Sequence, residues 1–153
     1  MRWLEHKIPP PVVGLVVGSG MWSGAQITPL VQVGESVRVV IALAFVVFGL
    51  AVTLLGVIAF RRVRTTVNPL QPEAASSLVI VGVYRYTRNP MYVGLASVLV
   101  GWAVYLSAPL VLVGPALFVL FISRFQIIPE ERVLSEKFGR EFAEYQQKVR
   151  RWL

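Results

Sequence analysis

Residues 37–60 read VRVVIALAFVVFGLAVTLLGVIAF. Apart from Arg38 at its edge the stretch is apolar. As a helix rising about 1.5 Å per residue, it is long enough to cross the ~30 Å hydrocarbon core of a bilayer. It runs straight into Arg61, Arg62 and Arg64, a basic flank of the kind found at the cytoplasmic end of a span. Toward the N-terminus, Ile8 to Gly34 contains no charged residue and is a second run of spanning length. Toward the C-terminus, Met91 to Leu106 and Pro109 to Ile122 are shorter apolar runs. Ser107, Ala108 and Pro109 break them apart and predict a tight helical hairpin. The expected fold is therefore an all-α integral membrane protein. It has about four transmembrane helices (9–30, 37–60, 90–106 and 109–126) and a C-terminal amphipathic cytoplasmic segment (127–153), forming a single domain over 1–153.

The composition agrees. Charged residues make up 15% of the 153 residues, against about 25% in a soluble domain. The net charge of +7 is not laid out as a nucleic-acid stripe; the basic residues flank apolar runs, as membrane anchors do. Arg2 and Lys7 precede the first run, and Arg38 alone lies in the next connection. Arg61, Arg62, Arg64, Arg85 and Arg88 fill the one after it, the 107–109 break has none, and the tail from 124 onward is rich in them. This alternation puts both termini and the 61–90 connection in the cytoplasm. A cleavable leader ending near Ser23 and Ala25 is the competing reading of the first run, but its removal would spoil the alternation. With no cysteine, and His6 as the one histidine, thiolate chemistry and zinc sites are excluded. No apolar interior holds Asp, Glu, Lys, Arg or His, which argues against a proton-coupled exporter.

Small residues predict how the helices meet. Gly14 and Gly18, Gly20 and Gly24, the set Gly49–Thr53–Gly56 and the set Gly94–Ser97–Gly101 each fall on one helix face and allow close backbone approach in lipid. They leave the oligomeric state open. In the tail, Leu134, Phe138, Phe142, Tyr145, Val149 and Trp152 recur at helical spacing, with an expected bend near Gly139. Such a helix either lies in the interface or folds over the bundle as a lid.

Chemistry-bearing residues gather at two helix ends. Asn89-Pro90 reads as an N-cap followed by a proline at the first helical position. The third span therefore opens toward the cytoplasm with free N–H groups suited to a carboxylate. Arg88 adds positive charge, and Tyr84, Tyr86 and Tyr92 offer ring faces to a cation. The second end is Arg124-Phe125-Gln126-Ile127-Ile128-Pro129-Glu130-Glu131-Arg132, where two acids leave the fourth span. By composition alone, the first end is also explained as a positive-inside anchor with interfacial tyrosines, and the acid pair as helix capping.

The two stretches together, G-V-Y-x-x-x-R-N-P-M-Y-x-G and R-F-Q-I-x-P-E-E-R-x-L-x-x-x-F-G-x-x-F-x-x-Y, closely resemble the isoprenylcysteine carboxyl methyltransferase family. Phospholipid N-methyltransferases are its more distant relatives. The resemblance covers about residues 61–152. It implies a membrane methyltransferase using S-adenosyl-L-methionine, with S-adenosyl-L-homocysteine as product, in a cytoplasmic-facing pocket closed by the C-terminal segment. It implies cofactor contacts from Ser76, Ser77, Leu78, Val79, Tyr84, Arg88, Asn89, Pro90, Met91, Tyr92 and Glu130. Arg124 and Gln126 are expected to face the methyl acceptor, and Arg124, Glu130 and Glu131 are the catalytic candidates. Asn89 stands where eukaryotic members carry histidine, which keeps a hydrogen-bonding group but removes a titratable one.

The implied acceptor is lipophilic or membrane-associated, with a carboxylate favoured. A phospholipid amine and a small thiol are the alternatives, followed by an NADPH-dependent reductase or a non-enzymatic protein on the same scaffold. The expected partners are the bilayer and that acceptor, with no metal and no nucleic acid. The expected setting is a prokaryotic cytoplasmic membrane. The 65–72 connection, stiffened by Pro69 and Pro72, reads either as a cover for the pocket or as an ordinary surface connection.

Overall fold

The computed structural model describes residues 5, 7–63 and 77–153. Arg64, Ser76 and the whole 65–72 connection lie outside the described residues. Among those described, every regular element is helical: α1 (Pro10–Ala25), α2 (Glu35–Val63), α3 (Pro90–Leu106), α4 (Val113–Ile122) and α5 (Ile128–Lys148). Short 3-10 turns, Gly82–Arg85 and Pro109–Leu112, lead into α3 and α4. A π-helical stretch, Ser123–Ile127, joins α4 to α5.

Two helical runs are long and apolar enough to cross a membrane, Glu35–Val63 and the continuous Pro109–Lys148. α3 is a shorter apolar helix of 17 residues. α1 has 16 residues and stops at Ala25, short of the position 30 expected from hydropathy. The sequence beyond Ala25 stays uncharged but not helical. Thr28 Oγ1 donates to the Gly24 carbonyl at 3.0 Å and closes the last turn, and Pro29 has no N–H with which to continue it. The chain then runs to the far side of the bundle. There Val31 N–H donates to the Ser107 carbonyl at 2.8 Å, and the Ser107 hydroxyl donates to the Val31 carbonyl at 2.8 Å. Ser107 itself takes a left-handed conformation (φ 56°) at the end of α3, which makes the expected hairpin turn.

The small-residue faces of α2 and α3 meet as their spacing predicts. A Cβ on Gly49 would lie 2.5 Å from the Gly94 carbonyl oxygen, and one on Gly101 would lie 2.8 Å from the Ala42 carbonyl oxygen. Gly56 faces Pro90 and Met91. The antiparallel register is thereby fixed, with the end of α2 beside the start of α3. α1 packs on α3 and α4, where Gly14 faces Phe118, Gly18 faces Leu99 and Trp102, and Gly114 faces Met21. Gly20 faces open space, so the Gly20–Gly24 pair is not a packing stripe as a whole. The core between α1, α3 and α4 is centred on Phe118, Ile122 and Ile127, all fully buried. The outer faces of α1 and α2 expose large aliphatic residues; Leu15 is 72% exposed and Val47 65%. An apolar exterior of that extent suits lipid rather than water.

Candidate functional site

The start of α3 and the start of α5 are brought together. Pro90 occupies the first turn of α3, as its fixed φ favours. Asn89 holds the N-cap position, but its side chain does not cap the helix. Instead its amide Nδ2 donates to the Arg151 carbonyl at 2.9 Å. The expected cap is thus replaced by a tie to the C-terminal tail. Within the same first turn of α3, the Tyr92 hydroxyl donates to Glu130 Oε1 at 2.5 Å.

The two adjacent acids have opposite environments. Burial raises the Glu130 carboxyl to about 8; the Tyr92 hydrogen bond works to lower it, and the charge of Glu131 raises it further. Glu131 also feels burial, but hydrogen bonds and charge from Arg151 and Arg88 outweigh it and hold the carboxyl below its ordinary range. Arg88 Nη2 donates to Glu131 Oε1 at 2.7 Å, and Arg151 Nη2 donates to Oε2 at 2.6 Å. Arg151 Nε adds a third bond to Oε1 at 3.1 Å. A pair of carboxyls whose environments push them apart is a recurrent feature of working sites.

Arg88 does more than pair with Glu131. Its Nη1 donates to the carbonyls of Gln146 (3.2 Å) and Val149 (2.6 Å), and its backbone N–H donates to the Arg150 carbonyl at 3.0 Å. The fully buried Thr87 donates to the Arg151 carbonyl at 3.4 Å. Tyr145 donates its hydroxyl to the Tyr84 carbonyl at 2.7 Å. Trp152 Nε1 donates to Ser123 Oγ at 3.0 Å. The tail is therefore folded onto the start of α3. Gly139, at φ 50° and ψ −118°, supplies the bend within α5 that the sequence predicts.

The segment before the Gly82 turn lies between the end of α2 and this tail. Val79 packs with Ala59 and Tyr84, and Leu78 packs with Phe142, Tyr145 and Val149. Ser77 is half-buried. Tyr84 is buried edge-on against Phe60, with ring centroids 5.4 Å apart. Its hydroxyl is pushed well above the ordinary tyrosine range by burial, then by Tyr145 and Glu130. Of the sequence-derived set, Leu78, Val79, Tyr84, Arg88 to Tyr92, Glu130 and Glu131 gather around the α3 start.

Arg124 and Gln126 belong to a different cluster. Arg124 is half-exposed and sits 3.7 Å from Glu5 of the N-terminal segment. Gln126 is fully buried, donates from Nε2 to the Ile8 carbonyl at 2.8 Å, and keeps its Oε1 without a hydrogen-bond partner. Both lie in the π-helical stretch, a local widening that recurs at functional sites. Arg151, Thr87 and Tyr145 are site residues that sequence reasoning missed. Among the described residues there is no cluster of His, Cys, Asp or Glu that would hold a metal.

The family model of phospholipid methyltransferases matches residues 37–141. The chain belongs to this family. Among curated proteins it is 38% identical over 112 residues to a probable protein-S-isoprenylcysteine O-methyltransferase of Oryza sativa subsp. japonica, covering 71% of this chain and 57% of that protein. It is 33% identical over 109 residues to protein-S-isoprenylcysteine O-methyltransferase B of Arabidopsis thaliana, covering 67% of this chain and 55% of that protein. An uncharacterized protein of Haemophilus influenzae is 46% identical over 63 residues, its whole length and 41% of this chain. The chain thus spans a little over half the length of its plant relatives. No solved structure matches it. Family and relatives together place the chain in a family related to the isoprenylcysteine O-methyltransferases, and the described residues include two helical runs long and apolar enough to cross a membrane.

Proposed function

We infer that the chain transfers a methyl group from S-adenosyl-L-methionine to a lipophilic acceptor, with an acceptor carboxylate as the leading class. The observation that carries this reading is the Tyr92–Glu130 pair at the start of α3, inside a chain of this family. The residues suit the cofactor. Glu130 is a buried carboxyl with no cationic partner among the described residues, and it would gain one in a sulfonium. In the first turn of α3 Pro90 has no N–H and those of Tyr92 and Val93 donate to the Asn89 carbonyl at 3.0 Å, which leaves the Met91 N–H for an anionic group. Ser77, Leu78, Val79, Tyr84, Asn89, Pro90, Met91, Tyr92 and Glu130 would hold the cofactor, with Ser76 as a further candidate. Arg88, its nitrogens largely committed to the tail, would position rather than contact it.

The bound cofactor would supply a methyl group already activated on sulfur, so the protein's part is alignment and electrostatics. A carboxylate acceptor is ionised at neutral pH and needs no base. Arg124 and Gln126, beside the N-terminal segment, would face it. A phospholipid amine is the second reading, favoured by the family match and by the raised Glu130 carboxyl. A carboxylate titrating near neutrality suits general-base work, whereas Glu131 is pinned ionised between two arginines. The family match lends nothing to the reductase alternative.

The proposed topology is one domain of four crossings carried by α1 to α4, with both ends and the Tyr92–Glu130 site cytoplasmic. It is supported by the lysine and arginine alternation and by the antiparallel packing of α2 on α3.

The test is isothermal titration of the detergent-solubilised chain with S-adenosylhomocysteine and S-adenosylmethionine. Both are expected to bind. Glu130→Gln is expected to weaken the sulfonium ligand about tenfold more than the neutral thioether, the scale of one charge-assisted hydrogen bond. Folded protein that binds neither ligand would overturn the reading.

A further inference from the structure

α1 and α2 make little contact with each other, yet both pack on α3. Between them lies a groove of about 1150 Å³, floored by Leu95, Val98, Leu99 and Trp102 of α3. Its walls include Leu15 and Ser19 of α1 and Leu43 and Val46 of α2, and its lining is almost wholly apolar. The Trp102 indole, the main polar group of the floor, is already satisfied by donating to the Gly18 carbonyl at 3.1 Å. None of the described residues fills this space.

A charge stands beside one end of the groove. Tyr105 lines it there, and the Arg38 guanidinium sits over the Tyr105 ring, 5.5 Å from its centroid. Arg38 Nε is buried and has no hydrogen-bond partner, and Arg38 forms no ion pair among the described residues. A guanidinium held over a ring, with no ion-pair partner among the described residues, can offer its two Nη groups to a phosphate. The site also lies away from the candidate methyl-transfer chemistry, because α3 rises about 20 Å between Tyr92 and Tyr105. From Tyr105 to Leu95 the groove follows α3 for about 15 Å, half of the ~30 Å hydrocarbon thickness. That is the depth of one leaflet.

We propose that this groove is a binding site for a single anionic phospholipid of the bilayer, its phosphate on Arg38 and one acyl chain along α3 between α1 and α2. Charge selects the headgroup, and the groove's length and apolar lining take the chain. The proposal does not depend on the methyltransferase reading, only on the chain residing in a bilayer. A lipid here fills a gap on the side of α1 that faces α2, where α1 gains little support; its packing within the described residues is on α3, α4 and the Pro109–Leu112 turn.

Native mass spectrometry of the full chain in detergent tests this directly, with titration by phosphatidylglycerol and by phosphatidylcholine of the same acyl chains. Wild type is expected to retain one phosphatidylglycerol at least about tenfold more tightly than phosphatidylcholine, the scale of a charge-assisted hydrogen bond. Arg38→Gln should abolish that preference, weakening phosphatidylglycerol more than phosphatidylcholine. Ser19→Phe places a ring in the groove from an exposed position, so it leaves the core intact and should weaken both lipids. Arg61→Gln combined with Arg62→Gln, at the other end of α2, should change neither. The proposal fails if Arg38→Gln keeps the preference or if Ser19→Phe leaves phosphatidylglycerol bound. It also fails if the groove proves to seat a second copy, seen as dimers that Ser19→Phe abolishes.

Discussion

Glu131 is the residue whose loss the tail should feel most. It accepts from Arg88 and Arg151 together, and its side chain is 14% exposed, against 11% for Arg88 and 40% for Arg151. Glu131→Gln keeps the shape but removes the charge and one acceptor oxygen. Arg88 is then left buried with a neutral partner while still tied to the Gln146 and Val149 carbonyls. Removing one member of a buried pair costs about 3–5 kcal/mol. Here the lower end applies, about 3 kcal/mol, because the amide still accepts one bond and the Arg88 carbonyl contacts remain. Arg151 is solvated enough that Arg151→Gln should cost only about 0.2–1 kcal/mol, the range of exposed pairs. The effect should be local opening of the tail rather than global unfolding.

Hydrogen exchange read by mass spectrometry on the full chain in detergent is the assay. Protection over residues 142–152 should fall about a hundredfold in Glu131→Gln, since each 1.4 kcal/mol is tenfold. Arg151→Gln should lower it by less than about tenfold. The sign with pH follows from the depressed native carboxyl. Its stabilisation is complete above the ordinary carboxylate range and is lost as pH falls through the native value, where Glu131→Gln and wild type should converge. Equal protection in wild type and Glu131→Gln at neutral pH would refute the clamp.

Two further expectations test the packing and the site charge. Gly94→Ala would drive a methyl group into the Gly49 carbonyl and the Thr53 hydroxyl. Backbone cannot yield there, so thermal unfolding in detergent should show a loss of about 1–3 kcal/mol, whereas Gly20→Ala, facing open space, should be near neutral. Glu130, raised to about 8, binds its proton more tightly when folded, so ligand-free stability should decline as pH rises from the ordinary carboxylate range through about 8. Glu130→Gln should flatten that decline. Conversely, S-adenosylmethionine binding should tighten as Glu130 ionises across the same window, and S-adenosylhomocysteine binding should not.

The helices were legible because lipid solvation leaves a plain record in composition, and because Gly49, Gly94 and Gly101 mark the surfaces where backbones touch. The end of α1 was not, since an uncharged sequence continues past Ala25 and only Thr28 and Pro29 signal the stop. The pairing of the α3 start with Glu130 was readable as two motifs flanking one hairpin. Arg151 was not, because it looks like any other cytoplasmic arginine. Its partner Glu131 is 20 residues away, and the carbonyls that Arg88 holds are about 60 away in sequence. Asn89 misled for a related reason: its side chain can cap locally or reach a distant carbonyl, and propensity records only the local choice. The π-helical turn at Ser123–Ile127 left no mark in the apolar periodicity, so Arg124 and Gln126 were not separated from the Tyr92–Glu130 cluster.

The most direct measurement is methyl transfer itself. The full chain, reconstituted in vesicles, is given methyl-labelled S-adenosylmethionine with either an S-prenylated cysteine or phosphatidylethanolamine. The account predicts label in a lipophilic product, released by mild base if the acceptor is the carboxylate and retained if it is the amine, with Glu130→Gln and Tyr92→Phe strongly impaired. Folded wild-type protein that labels neither acceptor and binds no S-adenosylhomocysteine would contradict it.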